Sequence, residues 1–271
     1  MKPMRLLGIG LCLLAVGAGA VAQNRGLGQW IQYVETATGR WMIHDVNRPA
    51  PPVITPGTAS TQETPGQAPS DAIVLFDGND LSNWTDVNGN PSKWIVRDGY
   101  MESVRSAGFI QTRQEFGSCQ SHVEFATPSR VRGQSQGRGN SGVFIHGMYE
   151  VQVLDSYENP TYPDGQCGAL YGRAVPLVNA SRKPGQWQTF DIVYHRPLFG
   201  ADGQVTRKAT FTVFHNGVLI QDHVELPGGT GWISEHVVTD YVPHGDKGHL
   251  QLQDHNNPVR FRNIWIRELE D

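Results

Sequence analysis

The stretch Gly139-Asn140-Ser141-Gly142-Val143-Phe144-Ile145-His146-Gly147-Met148-Tyr149-Glu150-Val151-Gln152-Val153-Leu154-Asp155-Ser156 alternates apolar and polar side chains on both sides of a Gly-Met pair. A period of two marks a half-buried strand, so the spacing predicts strands over 142–146 and 149–154 joined by a tight turn at Gly147-Met148. In the second strand Tyr149, Val151 and Val153 turn toward a core, and Glu150 and Gln152 turn away from it. The turn is expected to bring His146 beside Glu150. A bulge after Gln152 would return Asp155 to the Glu150 face.

The same period runs outward from Asp71 to the end of the chain. Short apolar alternations at 72–76, 94–97, 108–112, 119–126, 186–195, 208–215, 218–224, 249–253 and 259–267 are bounded by Gly, Pro, Asn and Asp. Asn216-Gly217, between two of them, predicts a type I′ hairpin. No sustained 3.6-residue period and no long internal repeat is present. Many short strands without helices predict an all-β fold, a jelly-roll sandwich of two antiparallel sheets.

The other end of the chain reads differently. Lys2 and Arg5, the apolar run Leu6–Ala18 and Ala20-Val21-Ala22 form the pattern of a secretory signal peptide over 1–22. The apolar run is too short to span a bilayer, and Leu11 before Cys12 argues against lipoprotein processing. The expectation is an exported protein, periplasmic or extracellular, without a membrane anchor. Residues 23–46 carry Trp30, Tyr33 and Trp41 and are expected to strap the main domain, whereas 47–70 read as a Pro-rich linker to a domain over 71–271. Loss of Lys2 and Arg5 takes the formal net charge from −4 to −6, and no basic patch calls for nucleic acid. Cys119 and Cys167 then remain, an even pair that permits a disulfide but suits small buried hydrophobes equally well.

Three strands place consecutive His, Glu and Gln side chains on their polar faces: Gln120, His122 and Glu124; Glu150 and Gln152; His249, Gln251 and Gln253. Such rows offer planar donors and acceptors for sugar hydroxyls and groups that titrate near neutrality. The alternative is a solvated sheet face. His122, Glu124, His146 and Glu150 are also candidate ligands for a divalent metal such as Zn or Mn, although no compact ligand motif occurs. Asp77-Gly78-Asn79-Asp80 reads as a turn, and nucleophile-elbow and nucleotide-loop motifs are absent. The Glu150, Gln152, Asp155 spacing resembles that of retaining glucanases of the concanavalin-like fold, but Gln152 replaces the central acid.

The chain resembles the 3-keto-disaccharide hydrolase family. The matching words are Leu75-Phe76-Asp77-Gly78-Asn79-Asp80-Leu81-Ser82-Asn83-Trp84, Phe116 to Phe125, Asn140 to Phe144, Tyr149 to Ser156, Cys167-Gly168-Ala169-Leu170-Tyr171-Gly172, Trp187 to Asp191 and Leu252 to Ile264. At Gly147-Met148 the sequence lacks the Arg that related proteins often carry before the Tyr-Glu strand. The resemblance implies a concanavalin A-like jelly roll and an exported enzyme that cleaves glycosides oxidised to a ketone at C3. A base could then take the acidified C2 proton, the aglycone leave from C1, and water add. Under that reading the catalytic candidates are Glu150 or His122 as base, with His146 or Glu124 as partner or metal ligand. Asn140, Gln152, Asp155, His249, Gln251, Gln253 and His255 are the candidate substrate contacts. Two rivals stand beside it: a lectin-like module stacking sugars on Trp94, Trp187, Trp232 or Tyr241, and an ordinary glucan hydrolase, which needs two spaced carboxylates.

Overall fold

The computed structural model describes residues 33–230 and 237–271. The signal-peptide reading, Trp30 and Trp232 lie outside the described residues. The chain divides into two compact units, 1–53 and 54–271. In the first, β1 (Tyr33–Thr36) and β2 (Gly39–Met42) pair as an antiparallel hairpin, so part of the expected strap has secondary structure of its own.

The second unit contains β3 (Ile73–Phe76), β4 (Trp84–Asp86), β5 (Ile95–Arg97), β6 (Tyr100–Glu102), β7 (Ile110–Phe116), β8 (Cys119–Ala126), β9 (Asn140–Ile145) and β10 (Tyr149–Leu154). It continues with β11 (Gln188–His195), β12 (Leu198–Phe199), β13 (Val205–Arg207), β14 (Thr210–His215), β15 (Val218–Glu225), β16 (Gly248–Leu252) and β17 (Arg260–Glu268). A smaller sheet has the order β10-β9-β16-β7-β4. A larger one has the order β15-β14-β11-β8-β17-β6-β5, with β3 also on β17. The strand pairs are antiparallel, as expected of a jelly-roll sandwich.

Alternation explains the core. Val143, Ile145, Tyr149, Val151, Val153, Leu250 and Leu252 come from the smaller sheet and meet Val123, Phe125, Phe190, Ile192, Phe211, Val213 and Phe261 from the larger. Each such side chain taken fully from water contributes about 1.5–3 kcal/mol, which fixes the register because a one-residue slip would turn the whole set outward. β8 and β10 have the predicted bounds, and Asn216 and Gly217 (φ 52° and 79°) form the predicted two-residue hairpin turn. Strands β4, β6, β12 and β13, two or three residues each, are too short to show a period. The turn between β9 and β10 takes in His146 as well as Gly147 and Met148, because Ile145 pairs with Tyr149 and both His146 and Gly147 are left-handed (φ 58° and 69°).

The linker reading is corrected for the second half of the tract. Residues 54–70 belong to the sandwich unit, where Thr58 bridges Gln67 and the segment lies on the outer face of the larger sheet. The Gly66 N–H donates to Glu124 Oε1 at 2.9 Å, Ser60 Oγ donates to Glu124 Oε2 at 2.8 Å, and Gln62 exchanges hydrogen bonds with the Trp187 backbone. Cys119 and Cys167 are both buried free thiols, each pushed up to about 12 by burial.

Candidate active site

The polar side of the smaller sheet carries a cavity of about 510 Å³, in the range of small-ligand sites. Its floor follows from register: Glu150 lies opposite Phe144 and Gln152 opposite Gly142, and the Gln253 N–H donates to Gly142 O at 3.1 Å. Gly142 makes room for the acid, because a Cβ there would come 2.4 Å from Glu150 Oε1. One wall is the loop after β10, which continues that strand's hydrogen bonding: Gln152 N–H to Ala169 O at 2.9 Å and Tyr171 N–H to Glu150 O at 3.2 Å. This seats Tyr171, and a single 3₁₀ turn at Pro163–Gly165 seats Tyr162. Phe109, packed on Phe144 with ring centroids 5.5 Å apart, also lines the cavity, with Gln136, Asn140 and His255.

Glu150 is 5% exposed, and its carboxyl has no hydrogen-bond partner among the described residues. Burial raises its pKa from 4.5 to about 8. It is the one carboxylate among the described residues of the cavity lining. Around it runs an amide chain. Gln152 Nε2 donates to Gln136 Oε1 at 2.9 Å, Asn140 Nδ2 donates to Gln136 O at 2.9 Å, and Gln136 Nε2 donates to Gly165 O at 2.9 Å. With its nitrogen engaged, Gln152 keeps Oε1 unpartnered, and Gln253 Oε1 is likewise unpartnered. Buried acceptors without partners are costly, by about 1–3 kcal/mol each, and a bound hydroxyl would satisfy them.

The expected single row of His and Glu is split between two sheets. Asn140, Glu150, Gln152, Gln253 and His255 share the cavity. His122 and Glu124 lie on the outer face of the other sheet. There His122 Nδ1 bonds Asp191 Oδ1 at 2.6 Å, its ring stacks on Trp265, and Nε2 is 3.6 Å from Glu124 Oε1, an ion-pair contact longer than a hydrogen bond. Burial opposes the His122 charge, but Asp191 and Glu124 outweigh it and carry the imidazole up to about 9. Burial likewise opposes the Glu124 charge, yet His122, Asn263, the Gly66 N–H and Arg262 hold this carboxylate down at about 2. Glu124 is thus the permanently charged anchor of the 54–70 segment.

His146 is not beside Glu150. Its left-handed backbone turns the ring toward Tyr149, Tyr194 and His244, where Nε2 meets Gly245 O at 3.1 Å and burial, then His244, lower its pKa to about 4. Asp155 follows the end of β10 without the expected bulge, is bonded by Arg138 and does not line the cavity. His249 pairs with Glu115 at 3.4 Å and Gln251 Nε2 donates to Gln111 Oε1 at 3.0 Å, beside the cavity lining rather than in it. The four candidate metal ligands therefore do not converge, and among the described residues no three His, Cys, Asp or Glu side chains gather at one point.

A family model described as the 3-keto-alpha-glucoside-1,2-lyase-like domain matches residues 71–267, nearly the whole sandwich. The chain belongs to this family. A 3-keto-disaccharide hydrolase of Bacteroides thetaiotaomicron is 24% identical over 247 residues, covering 75% of this chain and 81% of the relative. A Parabacteroides distasonis crystal structure, provisionally assigned to the glycosyl hydrolases, is 46% identical over 83% of this chain and 95% of its own, with a TM-score of 0.78. A second protein of that organism, with the same provisional assignment, has a TM-score of 0.55 at 20% identity, covering 74% of this chain and 94% of its own. The lyase-like domain described here is accordingly an enzyme of the glycoside-cleaving kind. Among the described residues its cavity lining holds one carboxylate, where a two-carboxylate hydrolase would need a pair flanking the bond.

Sequence periodicity missed Gln136, Phe109, Tyr162 and Tyr171 in this lyase-like site. Three of them sit on loops or a 3₁₀ turn, where no period exists, whereas Phe109 falls in the predicted strand 108–112, next to the core residue Ile110, and an apolar side chain there does not read as a sugar contact. The signal that was available for Tyr171 is its place in the matching word Cys167 to Gly172.

Proposed function

We propose that the protein cleaves glycosides whose sugar carries a ketone at C3, with Glu150 as the base that removes the C2 proton. The single observation behind this reading is the Glu150 carboxyl, the one carboxylate among the described residues of the cavity lining, buried and raised to about 8. One carboxylate cannot both protonate a leaving group and activate water on the opposite face of a sugar. It can take an acidified C–H. A C3 ketone makes the C2 hydrogen acidic, and a base whose pKa lies near the working pH is suited to remove it. The electrons left on C2 form a C1=C2 bond as the C1–O bond breaks, giving an alcohol and a conjugated enone. Water then adds at C1 while a proton returns to C2, so the net reaction is hydrolysis to a 3-keto sugar.

The amides support the same assignment. Gln152 Oε1 and Gln253 Oε1 are unpartnered acceptors for sugar hydroxyls, and Gln136 fixes the first of them by holding the Gln152 nitrogen. Phe109 and Phe144 supply an apolar flank for the ring's C–H face. The substrate named for the Bacteroides thetaiotaomicron relative is of this class. The test is incubation of the purified protein with an oxidised disaccharide and its unoxidised parent, following released sugar. Release from the oxidised compound alone is expected, with Glu150→Gln slower by about a hundredfold or more. Equal release from both would contradict the keto reading.

A further inference from the structure

We infer that the hydroxyl pair of Tyr162 and Tyr171 is the acid that protonates the departing glycosidic oxygen. The inference rests on the proposed 3-keto elimination. The two phenols sit 2.7 Å apart, oxygen to oxygen, their rings edge to face with centroids 6.4 Å apart, and both line the cavity with Glu150. Two hydroxyls carry two hydrogens, and their mutual bond uses one. Neither oxygen has another side-chain or backbone partner among the described residues, so one hydrogen remains for a ligand. The hydroxyl that offers it accepts from its neighbour, which polarises it into a stronger donor.

The placement is built rather than incidental. Tyr171 is fixed through its backbone to the Glu150 carbonyl, on the free edge of β10. Tyr162 rests against Gly165, where a Cβ would come 2.0 Å from its Cε2, so only glycine at that position lets the ring reach its partner. Burial and then the bond to Tyr162 raise the Tyr171 pKa well above the ordinary phenol range, which keeps Tyr171 protonated in the free enzyme. The cavity lining also contains His255, which like Tyr162 is exposed but, unlike the two tyrosines, has no side-chain partner among the described residues to hold and polarise it.

The proton account closes. Glu150 gains the C2 proton; a tyrosine O–H gives its proton to the aglycone oxygen as C1–O breaks, leaving a phenolate stabilised by the other hydroxyl. The incoming water gives one proton to that phenolate as its oxygen bonds C1, and Glu150 returns its proton to C2. Both groups end as they began, and no redox partner is required.

The experiment compares a 3-keto disaccharide, whose sugar alkoxide cannot leave unprotonated, with a 4-nitrophenyl 3-keto-glucoside, whose phenolate can. Wild type, Tyr162→Phe, Tyr171→Phe and the double variant are assayed on both. The expected result is a loss of about a hundredfold or more on the disaccharide in at least one single variant, with a much smaller loss on the nitrophenyl substrate. The double variant should be no slower than the worse single one, because the pair acts as a unit. Equal losses on both substrates would overturn the acid assignment and leave the pair a wall of the site. A wild type inactive on both would overturn the keto reading and the acid assignment with it. Near-ultraviolet circular dichroism identifies any variant that has lost its fold, and for that position Tyr→His, which retains a donor, replaces Phe: a His variant that keeps the selective loss absent supports the acid, and one as slow on both substrates overturns it.

Discussion

At Glu150 the proposed role as base and the cost of folding have the same origin. Its carboxyl is buried with no hydrogen-bond partner among the described residues, so the folded chain holds a proton that the unfolded chain releases between about pH 4.5 and about pH 8. Where the native state binds more protons than the unfolded one, stability falls as pH rises. Ionising the proposed base therefore comes at the expense of stability. Glu150→Gln removes that cost: its melting temperature should match wild type near pH 4.5 and exceed it by several degrees above pH 8, on the scale of roughly 2–4 °C per kcal/mol for a chain of this size. Wild-type kcat/KM should climb as pH approaches 8, when the base ionises. Thermal melts at the two pH values check the first point, and a variant less stable than wild type at pH 8.5 would contradict it. That Glu150 leaves the core face was legible from alternation with Tyr149 and Val151. Its burial was not, because the cover comes from loop residues such as Tyr171 and from the absent side chain of Gly142.

Among the elements, β8 shows the limit of alternation. Its bounds and its core face were legible, but which sheet it joins depends on pairing with β11 and β17, which are remote in sequence. His122 and Glu124 therefore looked like neighbours of Glu150, although they lie across the sandwich from it. They hold the 54–70 segment, whose contacts run through the Gly66 N–H, the Thr61 and Thr64 carbonyls and the Ser60 and Gln62 side chains and leave no periodic trace. Removing Glu124 would strand the Arg262 guanidinium, which donates to Glu124 Oε2 at 2.6 Å, in a buried site. Glu124→Ala should cost about 3–5 kcal/mol in denaturant unfolding and make residues 54–70 sensitive to protease, while cleavage of a 3-keto substrate survives at low temperature. The pH dependence has two edges. His122, raised to about 9, stabilises fully below about 6.5 and ceases to do so as pH rises through 9. Glu124, lowered to about 2, stabilises above about 4.5 and ceases to do so as pH falls through 2. The clamp is at full strength between about 4.5 and 6.5. A segment protected equally at pH 6 and pH 9.5 would show that the imidazolium contributes nothing.

Over the whole molecule, the sandwich keeps the two tasks apart. The larger sheet's outer face is occupied by the 54–70 segment and its charged anchors, and the smaller sheet's polar face is open as a cavity over Glu150. The two-sheet fold was legible because antiparallel strands repeat one signal many times, and turn chemistry at Asn216-Gly217 repeats it in another form. The site was legible mainly where it is built from strands, at Asn140, Glu150 and Gln152, and at Gln253 and His255 in the loop just beyond β16. The central claim is that cleavage proceeds through loss of the C2 proton. It is tested most directly by running the reaction on a 3-keto disaccharide in D₂O and reading the released 3-keto sugar by NMR, against the same sugar incubated without enzyme. Deuterium at C2 in excess of that control is the predicted result. Because Glu150 can return the proton it took, the contradicting result is complete cleavage with hydrogen fully retained at C2 and no slowing when C2 carries deuterium beforehand.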